Sequence, residues 1–302
     1  MGVNSGKCPS PTPAVASFDE GPGDSSSLTI PTWDPAAERA LVRKLDFRIF
    51  PTMILLFILN FIDRNNFANA RLAGLQEDLG LSDTEYATCL SILLVGYVCF
   101  QVPSNMVLNS LTHPKLYLCS CVAVWGCISA ATGAARNAGG AIACRFFLGC
   151  VEAAFFPGSL YFLSRWYTRK EMQLRVTILN GGNLAAQAFG GLIAAGVLGS
   201  MDGDRGIASW RWLFIIEGSL TVFFAIISYF ILPEYPGRTP WLSPEENGIA
   251  IQRLVLDAGM AGAKTDEEKI TSAQGLLLAV KDPKVWLLGL TYFTTIMGLS
   301  VS

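Results

Sequence analysis

Apolar positions in this chain gather into runs of the length that crosses a bilayer, and polar positions collect between them. Six runs stand out: Phe47 to Phe67, Tyr86 to Leu108, Lys115 to Gly133, Gly139 to Leu163, Val176 to Leu198 and Trp212 to Leu232. A seventh begins at Val285 and reaches the last residue, Ser302. A membrane helix needs about 20 predominantly apolar residues to cover a hydrocarbon core about 30 Å thick. Hydrocarbon offers no partner to a backbone N–H or C=O, so runs of this kind must close their hydrogen bonds within a helix. Core helices of a large soluble protein can mimic one or two such runs, but not six in succession across short polar loops. The pattern predicts an all-α membrane protein. It comprises a disordered tail (1–45), a six-helix bundle (46–232), a linker loop (233–284) and a partial seventh transmembrane helix (285–302).

Residues 1–30 are rich in Pro, Ser and Gly and contain no apolar stretch behind a basic start, so they do not form a signal peptide. Too little apolar surface is available there to offset the entropy of folding. The linker opens with Pro233, Pro236 and Pro240. Ser243-Pro244-Glu245-Glu246 then reads as a helix start, with a serine cap and early acids. Pro51 falls near the start of the first span, where a missing N–H is tolerated, and Pro157-Gly158 predicts a break or kink in the fourth. Gly181, Gly182, Gly190 and Gly191, with Ala185, Ala186, Ala194 and Ala195, form a small-residue stripe in the fifth, suited to close helix approach.

Lys and Arg give the orientation. Of the 22 in the chain, Arg71, Arg136, Arg205 and Arg211 fall on one side, Arg64 and Arg145 lie within spans, and all the rest fall on the other side. The positive-inside rule places the N-terminus and the linker in the cytoplasm.

Composition narrows the class further. The chain is 51% hydrophobic and 15% charged, against about 25% charged in soluble domains. A net charge of -2 gives no reason to expect a nucleic-acid partner. The eight cysteines lie mostly in apolar runs, and His113 is the single histidine, so neither a metal site nor a disulfide scaffold is expected. No nucleophile–base pair or phosphate loop is visible, which argues against an enzyme and against a bound cofactor.

Ionisable residues within the spans are the candidate chemistry, because a charge in hydrocarbon is costly enough to need a reason. Asp63 and Arg64 lie late in the first span, and Arg145 and Glu152 lie in the fourth, about two helical turns apart and so on one face. One reading is a proton-coupled anion site. Arg64 or Arg145 would grip a substrate carboxylate with the guanidinium fork, and Asp63 and Glu152 would carry protons, since burial penalises a charged carboxylate. The other reading is structural: Asp63 pairs with Arg145, and Arg64 with Glu152, to neutralise each other. Asn60 and Asn183 would hydrogen-bond substrate or bridge helices. Glu217, a turn or two from the outer end of the sixth span, reads as an interfacial, partly wet carboxylate.

At this point the residues carry a resemblance. Leu59-Asn60-Phe61-Ile62-Asp63-Arg64-Asn65-Asn66-Phe67-Ala68-Asn69-Ala70 resembles the first-helix signature of the fungal anion:cation symporter branch of the Major Facilitator Superfamily. Arg145-Phe146-Phe147-Leu148-Gly149 followed by Glu152-Ala153-Ala154-Phe155-Phe156-Pro157-Gly158 is similar to its fourth-helix motif. Ser209 to Gly218 and Leu232-Pro233-Glu234-Tyr235-Pro236 are similar to its sixth helix and exit. The resemblance implies the six-helix N-terminal half of such a transporter plus a partial seventh helix, with the second half missing. It implies proton-coupled uptake of a small organic anion or vitamin, in the manner of allantoate, nicotinate or pantothenate permeases, at the plasma membrane. Arg64, Arg145, Asn60 and Asn183 would bind substrate, and Asp63 and Glu152 would couple protons.

The loop from Pro103 to Lys115 departs from the superfamily pattern, having no acidic residue and no arginine, and His113 there reads as a solvated side chain. The resemblance leaves two alternatives to uptake: efflux of a secondary metabolite by the same fold, or a truncated membrane fragment that does not transport. A half-length chain would need a second copy, a homodimer, to complete a site between halves.

Overall fold

The computed structural model describes residues 33–111, 113–201, 203–262 and 272–301. Residues 1–32 of the expected tail and the middle of the linker lie outside the described residues. The elements are α1 (Pro35–Leu72), α2 (Leu75–Asp78), α3 (Asp83–Ser110), α4 (Pro114–Thr132), α5 (Ala138–Glu152), α6 (Phe155–Ser164), α7 (Arg169–Ser200), α8 (Ser209–Ile231), α9 (Pro244–Gly262), α10 (Ser272–Lys281) and α11 (Pro283–Val301). Among the described residues, six helices are long and apolar enough to cross a membrane: α1, α3, α4, α5 with α6, α7 and α8. The expected all-α membrane architecture is the one observed.

Side-chain caps set many of the helix starts. Asp34 accepts the Ala36 N–H at 2.9 Å, and Asn137 accepts that of Gly140 at 2.8 Å. Ser82 with Glu85, and Thr168 with Glu171, form reciprocal capping boxes for α3 and α7. The Ser243 signal behaves as read, its hydroxyl accepting the Glu246 N–H at 3.1 Å while Glu246 accepts the Ser243 N–H.

One boundary differs from the sequence expectation, and the break expected in the fourth span is present a few residues upstream of Pro157-Gly158. Helix α1 begins at Pro35, inside the stretch read as tail, and Pro51 therefore sits in its interior. Proline cannot bond the carbonyl four residues back, that of Phe47, and Phe47 lies where it is 79% exposed. The fourth span is two helices. Ala153 and Ala154 donate to Gly149 and Val151 at 3.1 and 3.3 Å, closing α5 directly after Glu152. Pro157, in the first turn of α6, offers no N–H to the Ala153 carbonyl, which places the break upstream of the proline.

Packing pairs the helices: α3 lies against α5, α4 against α8, and α1 against α7 and α8. Glycines allow two of these pairs to touch backbone to backbone. A Cβ at Gly96 would stand 2.5 Å from the Phe146 carbonyl, and one at Gly149 would run into the Leu93 carbonyl. Between α4 and α8, a Cβ at Gly126 would stand 2.9 Å from the Gly218 carbonyl and one at Gly218 2.5 Å from that of Gly126.

The small-residue stripe of α7 divides instead. Gly182, Ala186, Gly190 and Ala194 are buried, and Gly182 and Gly190 face Phe57, Ile58 and Ile62 of α1 at ordinary contact distance. Gly181 and Gly191 face open space.

Helix α9 is fastened to the same bundle. Lys44 meets Glu246 at 2.8 Å, and Arg253, itself buried, meets both Glu171 oxygens at 3.0 and 3.1 Å and bonds the Trp166 carbonyl. Trp241 lies beneath Lys44 and Arg48. Nearby, Arg175 forms a two-pronged pair with Asp46, joining α7 to α1 at 2.8 and 2.6 Å.

Candidate functional site

The site is built on two turns of α1. Asn60, Asp63 and Asn66 recur every three residues and so share a face, and all three are buried. Asp63 Oδ2 accepts the Trp125 indole N–H at 2.9 Å, and its Oδ1 accepts the Ser129 hydroxyl at 2.7 Å. Trp125 and Ser129, four apart on α4, reach it from one face of that helix. The next residue, Arg64, points elsewhere. Its Nε donates to Glu152 Oε2 at 2.7 Å, and its guanidinium lies 4.6 Å from the Tyr97 ring centre on α3. A quarter of the Arg64 side chain remains accessible, whereas Glu152 is fully enclosed.

Arg145 is 1% exposed and carries its charge between aromatic faces, 4.2 Å from the Phe67 ring centre and 5.7 Å from that of Phe214. A cation over an aromatic face gains about 0.5–2 kcal/mol, which offsets only part of the cost of burying it. Its Nε and Nη2 have no hydrogen-bond partner in the structure. Asn60 Nδ2, Glu152 Oε1 and both polar atoms of the Asn66 amide are likewise buried without partners.

Half of the purely structural pairing is present, since Arg64 does neutralise Glu152. The Asp63–Arg145 half is absent: two neutral donors on α4 occupy Asp63, and aromatic rings occupy Arg145. Asn183 stands apart from the group, its Oδ1 accepting from Gln187 of its own helix at 3.2 Å. His113, read as solvated, is indeed exposed, with its Nδ1 3.4 Å from Glu234.

Sequence reasoning missed Trp125, Ser129 and Tyr97, which look like ordinary content of apolar helices. It misplaced Glu217. This carboxylate is 2% exposed, with neither oxygen hydrogen-bonded, and is not a partly wet interfacial group. Helix α8 starts at Ser209, so Glu217 lies about 12 Å along the axis.

Two guanidiniums and three carboxyls thus share the interior of one apolar bundle. The Major Facilitator Superfamily profile matches residues 53–302, covering every one of them. The chain belongs to the Major Facilitator Superfamily. It is 41% identical over 225 residues to the MFS-type transporter cnsO of Penicillium expansum, covering 72% of this chain and 43% of that protein. It is 32% identical over 248 residues to the major facilitator-type transporter hxnP of Emericella nidulans, covering 81% and 49%. A relative from Agrobacterium vitis whose name proposes a tartrate transporter is 31% identical over 262 residues, covering 87% and 58%. The chain spans about half the length of the curated relatives it matches.

Among solved structures, a bacterial homologue of the lysosomal transporter Spinster superposes with a TM-score of 0.57 at 17% identity, over 70% of this chain and 47% of that one. The xylose transporter XylE of E. coli gives 0.56 at 16% identity, over 78% and 60%. These likenesses establish the fold. As a superfamily member with six apolar helices, the chain is a multi-pass membrane protein.

Proposed function

We infer that this superfamily chain serves a secondary transporter that carries a small organic anion across the membrane together with protons. The observation that carries the reading is Arg145, a buried cation with two unused donors set beside the Arg64–Glu152 pair. A carboxylate ligand would supply the acceptors that Arg145 lacks, and the planar fork favours a bidentate grip. An anion arriving next to Glu152 competes with it for Arg64, and a proton on Glu152 relieves that competition. Binding of the anion and the proton are linked in this way. The relative named for tartrate fits a carboxylate ligand.

Asn60 contributes a further donor, and Asp63 holds the α1–α4 contact while serving as a second proton group. Asn183 is a peripheral substrate contact. The N-terminus and α9 face the cytoplasm, following the Lys and Arg distribution, and the plasma membrane is the proposed site of action.

Uptake of labelled tartrate and a panel of carboxylate vitamins and ureides by cells making the full-length protein tests this. Uptake should rise as the outside is acidified. Glu152→Gln should abolish that pH dependence, and Arg145→Lys, which cannot form the fork, should weaken apparent affinity by on the order of tenfold to a hundredfold. Uptake insensitive to both pH and Arg145→Lys would overturn the reading. Accumulation lowered by the protein would mark it as an exporter.

A further inference from the structure

We propose that Glu217 is a third proton-binding carboxyl of the site, linked to Asp63 across the α4–α8 contact. This rests on the reading of the site as proton-linked. Its own support is geometric. Glu217 is 2% exposed, and both its oxygens lack a hydrogen-bond partner, unlike Asp63 and Glu152, each of which accepts at least one donor. The neighbouring Gly218 is pressed against the α4 backbone at Gly126 and Ala130, within the same stretch of α4 that carries the two donors to Asp63.

The charged groups around Glu217 are few. Helix α1, which packs on α8, brings Asp63, bound to α4 at Trp125 and Ser129 on either side of the Gly126 that meets Gly218, and Arg64, which is turned to Glu152. Helix α4 faces the site with Trp125 and Ser129, both committed to Asp63, and its one charged residue, Lys115, is at the far end. From α5, Arg145 lies 5.7 Å from the centre of the Phe214 ring, which α8 carries three residues before Glu217. The charges of α7 (Arg169, Lys170, Glu171 and Arg175) cluster in its first two turns, and α8 itself adds only Arg211 at its start. With both arginines charged, three ionised carboxylates would leave one negative charge unmatched in a dry interior. A proton on Glu217 removes that excess, and like charges on Asp63 and Glu217 make the protonation of each depend on the other.

Infrared difference spectroscopy of the purified full-length protein, titrated with pH, reads this directly. In a Glu152→Gln background with glutamate-specific carboxyl labelling, a carboxylic-acid C=O band should titrate, vanish in both Glu217→Gln and Glu217→Met, and shift its midpoint in Asp63→Asn. A band that survives both Glu217 variants, or a midpoint that Asp63→Asn leaves in place, would overturn the proposal. The labelled Asp63→Asn comparison decides the matter even where a Glu217 variant fails to fold. Transport that ignores pH alongside a Glu217 band that titrates would sink the symport reading and leave this assignment standing.

Discussion

Asp63 and Glu152 are held by different chemistry, and that difference sets how each responds to change. Asp63 takes one neutral donor on each oxygen, from Trp125 and Ser129. Ser129→Ala would leave a buried acceptor open, which costs about 1–3 kcal/mol. The variant should lower the unfolding free energy in detergent by that amount, and Asp63→Asn combined with it should lower it by less than the sum of the two. Additive losses would mean that the hydroxyl stabilises something other than Asp63. At this scale the four ionisable residues of α1 and α5 were legible, because a charge within an apolar run is conspicuous. Their partners were not. Indole, phenol and hydroxyl groups are routine in membrane helices, and only the three-dimensional approach of α3 and α4 gives them a role. The depth of Glu217 depended on where α8 begins, a boundary that sequence fixes only to within a few residues.

Helix contacts show the same division between what patterning reveals and what it hides. Small residues in α7 advertised a tight interface, yet the backbone-to-backbone contacts are at Gly96 with Phe146, Gly149 with Leu93, and Gly126 with Gly218. Isolated glycines in otherwise apolar helices give no periodic signal, so nothing in the sequence separated them from the stripe. Gly149→Ala should therefore sharply reduce the yield of folded, inserted protein, while Gly181→Ala, facing open space, should leave it unchanged. Monodispersity on detergent size-exclusion chromatography distinguishes the two, and equal behaviour would contradict the α3–α5 contact described.

Helix α9 supplies a pH-dependent counterpart outside the membrane. Burial pushes the Glu246 carboxyl up, but the Lys44 ammonium and the Ser243 N–H outweigh it and hold it below its ordinary 4.5. A carboxyl lowered on folding adds stability above its unfolded value and loses it as pH falls through the folded one. Hydrogen exchange in α9, corrected for intrinsic rates, should accelerate on acidification below about 4.5, and Glu246→Gln should flatten the response. Unchanged acid sensitivity in that variant would remove Glu246 from the fastening.

For the molecule as a whole, membrane-length apolar runs made the bundle legible without any tertiary information, since lipid leaves the backbone a single solution. How the helices group was not legible. The glycine contacts weld α3 to α5 and α4 to α8, the two pairs meet through α4 and α5, and α1 packs on α7 and α8. Consecutive residues of α1 then hold opposite partners: Asp63 grips α4 through Trp125 and Ser129, while Arg64 grips α5 through Glu152 and rests on Tyr97 of α3. Residues 63 and 64 therefore act as a clutch plate. Any relative movement of the two pairs would have to slip one of these grips.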